Sequence, residues 1–599
     1  MKTLEVGQPD WDMTPFFSEL GAEDYVVYKR EVLKEVERRR TTLEALGPLG
    51  AETRAAWAEA LCALEELQRR FGHLRTYLGC LSAADSGDEA IQRETASLGP
   101  ARAELQKALV AVRAAFKAAS DAEFEALLAD ARLDGAQYAL TRMRKRARHT
   151  MAATLEGLAA DLGVNGISAW GRLYGQVSGK LSFQLEVEGQ EARELPVAMA
   201  RTFLEDPDRA VRTAALRGSN AAWEQVGDTV AACLNAISGT RLSLYERRGI
   251  DHFLEPALLD SAISRQTLDA MLGAVRARHD VPHRYLAKKA ELLGVPKLGF
   301  QDLMAPLPSD RDERLSWERA RGDVSAAFAA FYPGLAELAE RAFADRWIDY
   351  TPRPAKRPGG FCASSSVIGQ SRVFMTFNGA SGDVQTLAHE LGHAFHSWVM
   401  RDMRPWARSY PMTLAETAST FAEQLTVDAA LEAPSASEAT RRAILDQRLL
   451  EAAVFLCNIP MRFDFEHALY TRRAAGELSL SELKQMMEDA QRKNFGGTLD
   501  PAQLDPWYWA SKLHFYITEI SFYNFPYTFG YLFSLGIFAR AKQEGPDFLP
   551  GYEALLRRTG SADAEEVARE SLGVDLTKPD FWNASIDLIE QDLDRFLAG

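Results

Sequence analysis

Among 599 residues there are only five cysteines, Cys62, Cys80, Cys233, Cys362 and Cys457, and no two of them form a Cys-x-x-Cys pair. They offer no disulfide framework, and their scatter fits reduced thiols in a cytoplasm. Long apolar runs are also missing: none approaches 18 residues, and Met1 to Trp11 is polar and acidic with no apolar export core. No transmembrane span or signal peptide is expected, so a soluble cytoplasmic protein is. Basic charge is in deficit, with 69 Lys and Arg against 84 Asp and Glu, a net charge of -15 and a pI near 5.4. That balance argues against nucleic acid as a partner, since binding phosphates takes concentrated Lys and Arg. The exception is the basic run Arg142 to Arg148, which in a helical pattern reads as a solvated face or a rim of a substrate cleft. There is no internal repeat, low-complexity tract, phosphate-binding glycine loop or lipidation signal.

What is present is helix. Hydrophobic residues make up 47% of the chain, ample for a buried core, and the length accommodates two large helical lobes sharing a cleft. Residues 23 to 46, 52 to 79, 88 to 118 and 121 to 162 read as long helices rich in Ala, Leu, Glu and Arg, separated by Gly, Pro or Ser-Gly-Asp. Leu181 to Val187 alternates strictly and Glu188-Gly189 supplies a turn, so a small hairpin is expected at 181–196. Helices resume from about 200, and the proline-rich segments 305–308 and 352–359 read as loops. Ser371 to Gly379 reads as a strand ending in Asn-Gly, placed to pair with an extended peptide or to serve as an ordinary sheet edge.

The most informative stretch is Thr386 to His396, which contains His389-Glu390-Leu391-Gly392-His393. At about 100° per residue, positions i and i+4 share a helix face one turn apart, so two imidazoles can hold one metal ion. Glu390 then lies beside the ion and can take a proton from water that the metal has acidified. Val384, Leu387, Ala388, Leu391, Ala394, Phe395 and Trp398 recur at three- and four-residue spacing, which makes this a buried amphipathic helix. A histidine pair in such a place without a metal would need other partners for its ring nitrogens.

A catalytic zinc takes a third protein ligand and keeps an open position. A third histidine ten residues after the first would fall at position 399, which is Val. His396 is two turns from His389, about 10 Å along the axis, and reads as a supporting hydrogen-bond partner or a polar residue at the helix end. The better candidate is Glu416, in Thr413-Leu414-Ala415-Glu416-Thr417-Ala418-Ser419, on a helix that follows a loop past Pro411. Two histidines on one helix and a glutamate on the next is the gluzincin layout. The competing reading of Glu416 is a capping box with Thr413. Glu423, seven residues on, is the rival ligand; otherwise Glu423 or Ser419 is expected to support the ligands from behind.

The stretch from Phe361 to Glu423 resembles the M3 family of metallopeptidases, and within it the oligoendopeptidase F group. The resemblance rests on His389 to His396, the family's long form of the zinc motif, and on Glu416-Thr417-Ala418-Ser419. It extends from about residue 110 to the end and is concentrated between 361 and 531. It implies a mainly α fold of two helical lobes around a deep substrate cleft, with a gluzincin-type zinc site and a small β-sheet next to the zinc helix. An amino-terminal lobe, 1–200, would carry the hairpin and a catalytic domain would occupy 201–599. His514 matches the family's carboxy-terminal histidine, and Tyr523, Tyr527 and Tyr531 are candidates for its tyrosines, although such an aromatic stripe is equally core-like. The expectation is a zinc endopeptidase with one Zn²⁺ per chain on His389, His393 and Glu416. Glu390 would serve as proton carrier, and the carboxy-terminal His and Tyr groups would stabilise the oxyanion. Oligopeptides would enter a narrow channel that excludes folded proteins. The alternatives are a helical zinc carboxypeptidase and a non-catalytic, metal-stabilised peptide-binding protein. The sequence leaves the oligomeric state open.

Overall fold

The structure is a computed structural model and describes residues 9–307, 314–434 and 436–598. It is mainly α-helical with two small sheets. Glu23–Ala45 and Arg54–Ala84 are single long helices, and the second buries Leu61, Leu64, Phe71, Leu74 and Leu78 on one face. Two expected helices are broken. The stretch 88–118 divides at Leu98 into Glu89–Ser97 and Gly99–Ala118, where Pro100 fits only a first turn. The stretch 121–162 divides into Asp121–Leu128, Gln137–Arg148 and Ala153–Asn165. At its first break the Asp130 side chain accepts from Arg132 N and Gly135 turns with φ +81°, local signals that apolar periodicity does not register.

The basic run is solvated only in part: Lys145 and Arg148 are exposed. Arg142 and Arg144 are buried, and Arg144 donates to the carbonyls of Phe116 and Ala119 at 3.1 and 2.7 Å. Its guanidinium neutralises the negative end of the helix Gly99–Ala118 and lies over the Phe124 ring.

The hairpin forms as expected: β1 (Ser182–Leu185) pairs antiparallel with β2 (Arg193–Pro196), and Gly189 takes φ +77° in the connection. A second sheet comprises β3 (Ile348–Asp349), β4 (Phe361–Ser365) and β5 (Gln370–Phe374) in the order β3-β5-β4. The strand expected over 371–379 is therefore shorter, and it is central. Both of its edges are taken, by β3 in parallel and β4 antiparallel, so it has no free edge for a peptide. The edge strands of this sheet are β3 and β4.

The chain forms two compact units, each assembled from segments distant in sequence. One comprises Met1–Arg148, Asp312–Glu432 and Arg540–Val574; the other comprises His149–Arg311, Ala433–Ala539 and Asp575–Gly599. The division expected near residue 200 falls inside a segment of the second unit.

Candidate metal centre

The motif occupies the helix Ser381–Val399, in the first unit. Leu387, Ala388, Leu391, Ala394 and Phe395 are buried, which fixes the helix and turns the i, i+4 histidine pair to a common side. Beyond it, the one-turn helix Met412–Ala415 ends at Glu416, residues 416–418 form a turn, and Ser419–Glu432 resumes as helix. Glu416 thus sits at the carboxy end of a short helix rather than in its first turn, where a capping box with Thr413 would require it; Pro411 occupies the N-cap.

Gly392 brings the two segments together. A Cβ at this position would lie 2.5 Å from Ala418 O and 2.6 Å from Ser419 Cα, so only glycine lets the motif helix cross the 416–419 turn so closely. The sequence shows this glycine, but its neighbours become apparent only in the fold.

One atom, Glu416 Oε2, faces both imidazoles: it is 3.3 Å from His389 Nε2 and 3.5 Å from His393 Nε2. The two rings are perpendicular, with centroids 4.7 Å apart. The ligand atoms of His389, His393 and Glu416 all lie within 4.8 Å of one another. Donors at about 2.1 Å from an ion in tetrahedral array stand roughly 3.4 Å apart, so the imidazole–carboxylate spacings suit a zinc-sized ion.

Behind the cluster, Glu423 Oε1 lies 2.9 Å from His389 Nδ1, so that nitrogen carries a proton and Nε2 is the one that faces Glu416 and would hold an ion. Ser419 Oγ donates to Glu416 Oε2 at 2.7 Å. Glu423 and Ser419 therefore both stand behind the cluster. Burial alone would lower the pKa of His389, but the bond to Glu423 and the nearby carboxylates outweigh it and lift the pKa to about 9. His393 moves down, through burial and the neighbouring His389 charge. To hold a cation, His389 would give up the proton on Nε2 and keep the one on Nδ1.

Glu390 is 6% exposed, and its Oε2 has no hydrogen-bond partner. Burial first, and then the Glu416 and Glu423 charges, push its pKa up to about 7 against the opposing pull of His389. A Cβ at Gly360, just before β4, would stand 3.2 Å from Glu390 Oε1, so the edge strand begins beside this carboxylate. His396 has a different role. It is fully buried, stacks on Tyr410 at 4.2 Å and bonds Thr559 Oγ1 at 2.8 Å, which ties the motif helix to the helix Leu549–Arg558. It is a polar residue in the last turn of the helix, as expected, but a buried one whose bonds go to Thr559 and Leu556 rather than to His389 or His393.

His514 and the three tyrosines belong to the second unit. His514 lies in the 3₁₀ turn Leu513–Tyr516, and its Nδ1 donates to Asn524 Oδ1 at 2.8 Å. Arg462 donates to the same oxygen at 3.2 Å. In the neutral ring, which burial favours, Nε2 is consequently an acceptor. Tyr527 OH donates to Tyr523 OH at 3.1 Å, leaving the Tyr523 proton available to another acceptor. Tyr531 is buried with its ring stacked on Phe455 at 4.4 Å.

Two buried ionisable side chains that the sequence did not single out hold the Leu513–Asn524 loop. Arg241 donates to the carbonyls of Ile517 and Ile520 at 2.8 and 2.9 Å, and Glu466 accepts from Phe522 N at 2.7 Å. Phe522, next to Tyr523, is held with φ +55°, a left-handed conformation that a bulky residue adopts only under constraint.

Two imidazoles one turn apart, a carboxylate returned from the following segment and an unpartnered buried glutamate beside them define a gluzincin-type metallopeptidase centre. The comparisons agree. The model of peptidase family M3 matches residues 202–588, and that of oligopeptidase F matches 116–183. The chain belongs to peptidase family M3. An oligoendopeptidase F homolog of Lactococcus lactis is 27% identical over 68% of this chain and 67% of its own length. Oligopeptidase PepF of Bacillus subtilis is 24% identical over 90% of this chain and 80% of its own. Among solved structures, a Chlamydophila abortus chain superposes with TM-score 0.84 at 19% identity, covering 99% of this chain and 100% of that one. Oligoendopeptidase-F from Enterococcus faecium gives 0.68 at 20% identity, covering 96% and 98%. At those identities the likeness establishes the fold.

Proposed function

We propose that the protein is a zinc-dependent endopeptidase of oligopeptides, with His389, His393 and Glu416 as the zinc ligands. The observation that carries this is the single oxygen, Glu416 Oε2, set 3.3 and 3.5 Å from the two imidazole nitrogens with Glu390 unpartnered beside them. A zinc ion held there supplies Lewis acidity, acidifying water and polarising a peptide carbonyl. Glu390 accepts the water proton at Oε2 and returns it to the leaving amine nitrogen, and its buried position suits both transfers. Glu423 fixes the His389 tautomer, and Ser419 orients the ligand carboxylate.

For the developing oxyanion we assign Tyr523 as the principal donor, with Tyr527 bonded behind it. His514 contributes from Nε2 only when protonated. Tyr531, stacked on Phe455, shares the helix Phe525–Glu544 with Tyr527, whereas Tyr523 precedes that helix. Oligopeptide substrates and endopeptidase cleavage are supported by the names of the relatives, and a cytoplasmic setting by five free cysteines. Among the described residues no helix is long and apolar enough to cross a membrane.

The test pairs metal analysis by mass spectrometry with cleavage of a fluorogenic peptide blocked at both ends, before and after chelation. One equivalent of zinc and chelator-sensitive internal cleavage are expected, and Glu390→Gln should keep the zinc and lose the cleavage. Bound zinc without cleavage of the blocked peptide would favour a carboxypeptidase or a binding protein, and turnover retained by Glu390→Gln would remove that residue's assigned role.

A further inference from the structure

The second unit contains a cavity of about 560 Å³, within the range of small-ligand pockets. Its walls are largely apolar, with Leu204, Leu303 and Val454 among them, yet Arg201, Arg462 and Lys512 also face it. Among the described residues none of these three cations has a carboxylate within 4 Å. The charges of Arg462 and Lys512 lie 5.6 and 4.7 Å from the centroid of one ring, that of Tyr508 in the cavity wall. The exposed Arg201 stands at the margin. Among the described residues Asp505 is the only acidic group in the wall, and it is buried and accepts from Trp507 N at 3.0 Å. The cavity therefore carries an excess of positive charge in an apolar setting, where a charge-assisted bond to an anion is strong.

The phenol of Tyr508 registers this field. Burial acts to raise its pKa, but Arg462 and Lys512, with the Asn458 hydrogen bond and Arg201 adding to them, bring it below the ordinary tyrosine value. The backbone is also built around the cavity. Between the helices Glu438–Ala453 and Ile459–Arg473 runs a π-helical turn, Val454–Asn458, a feature frequent at functional sites. It places Asn458 Oδ1 where it accepts from both Arg462 Nε at 2.8 Å and Tyr508 OH at 2.9 Å, so the guanidinium is aimed rather than free to rotate.

We propose that this cavity binds the free carboxy-terminal residue of a peptide, its α-carboxylate between Lys512 and Arg462 and its apolar side chain against Leu204, Leu303 and Val454. The choice of a peptide as the source of the carboxylate rests on the peptidase reading; the acid-over-amide preference does not.

The test uses the full chain carrying Glu390→Gln and, as probe, an N-acetylated tripeptide ending in leucine, as free acid and as carboxamide, titrated by calorimetry. The acid is expected to bind at least tenfold more tightly than the amide, the worth of one charge-assisted bond. Lys512→Met added to this chain should bring that ratio below about threefold, and Arg201→Ala should lower it less. Both variants are to be checked for unchanged melting. Equal binding of acid and amide by the parent chain would overturn the proposal. So would a ratio that survives Lys512→Met combined with Arg462→Gln, or millimolar inorganic phosphate that binds the cavity without any acid-over-amide discrimination. Failure of the peptidase reading would appear separately, as wild-type chain that never cleaves the blocked peptide.

Discussion

Gly392→Ala tests whether the metal cluster depends on the approach of the motif helix to the 416–419 turn. The added methyl would sit 2.5 Å from Ala418 O. Carbon and carbonyl oxygen normally approach no nearer than about 3.3 Å, so the segments must separate by roughly 0.8 Å. Metal–ligand distances tolerate only about ±0.2 Å, and Glu416 lies two residues from the displaced carbonyl. Overpacking of this kind costs about 1–3 kcal/mol of stability, and displacing a ligand or its support costs at least about tenfold in zinc affinity. The assay is zinc affinity by chelator competition beside thermal melting and peptide turnover. Gly79, inside the helix Arg54–Ala84, provides the control, because a Cβ there meets nothing within 4 Å. Gly79→Ala should stabilise by about 0.5–1 kcal/mol through backbone entropy and leave zinc affinity alone. If Gly392→Ala binds zinc and turns over like the parent, the steric account of Glu416's placement is wrong.

Glu423→Gln should weaken zinc binding by about 10–100-fold, because the carboxylate that fixes the His389 tautomer is lost while the ring remains; unchanged affinity would remove Glu423 from the metal site. Tyr523→Phe should lower kcat by about a hundredfold or more with little change in KM, and Tyr527→Phe by less, since its hydroxyl acts on Tyr523; a Tyr523→Phe rate within twofold of wild type would sink the donor assignment. The buried carboxyl of Glu466, pushed up to about 7 by burial against the pull of Phe522 N and Arg241, makes stability depend on pH. The folded pKa exceeds the unfolded one, so the folded chain keeps a proton that the unfolded chain releases. The stabilising contribution is complete below about pH 4.5 and is lost as pH rises through 7, on the order of 3 kcal/mol in all. Melting curves of Glu466→Gln should therefore change less with pH between 5 and 8 than those of the parent, and parallel profiles would refute this.

The motif was legible because its chemistry is local. His389 and His393 share a face by helical geometry alone, and Glu390 lies beside them for the same reason. The long helices and the hairpin at 181–196 were readable through periodicity and turn residues, whereas the break at Asp130 to Gly135 was not, because one side-chain cap and one left-handed glycine override the apolar repeat. The strand near 371 was visible, but its central place in the sheet depends on β3, more than twenty residues upstream. Glu416 could be named as a ligand candidate from its spacing. Its position in a turn, with Gly392 giving way to that turn and Glu423 reaching back to His389, required the packing of two helices.

What the sequence by itself determined is what repeats every turn or follows from neighbouring residues: the helical class, the metal-binding face and the carboxylate beside it. What only the tertiary structure decided is every contact between residues far apart in the chain. Thr559 on His396, Arg241 and Glu466 on the loop that carries Tyr523, and Arg462 on the Tyr508 ring leave no local pattern, because long-range packing is set by complementary surfaces and not by spacing.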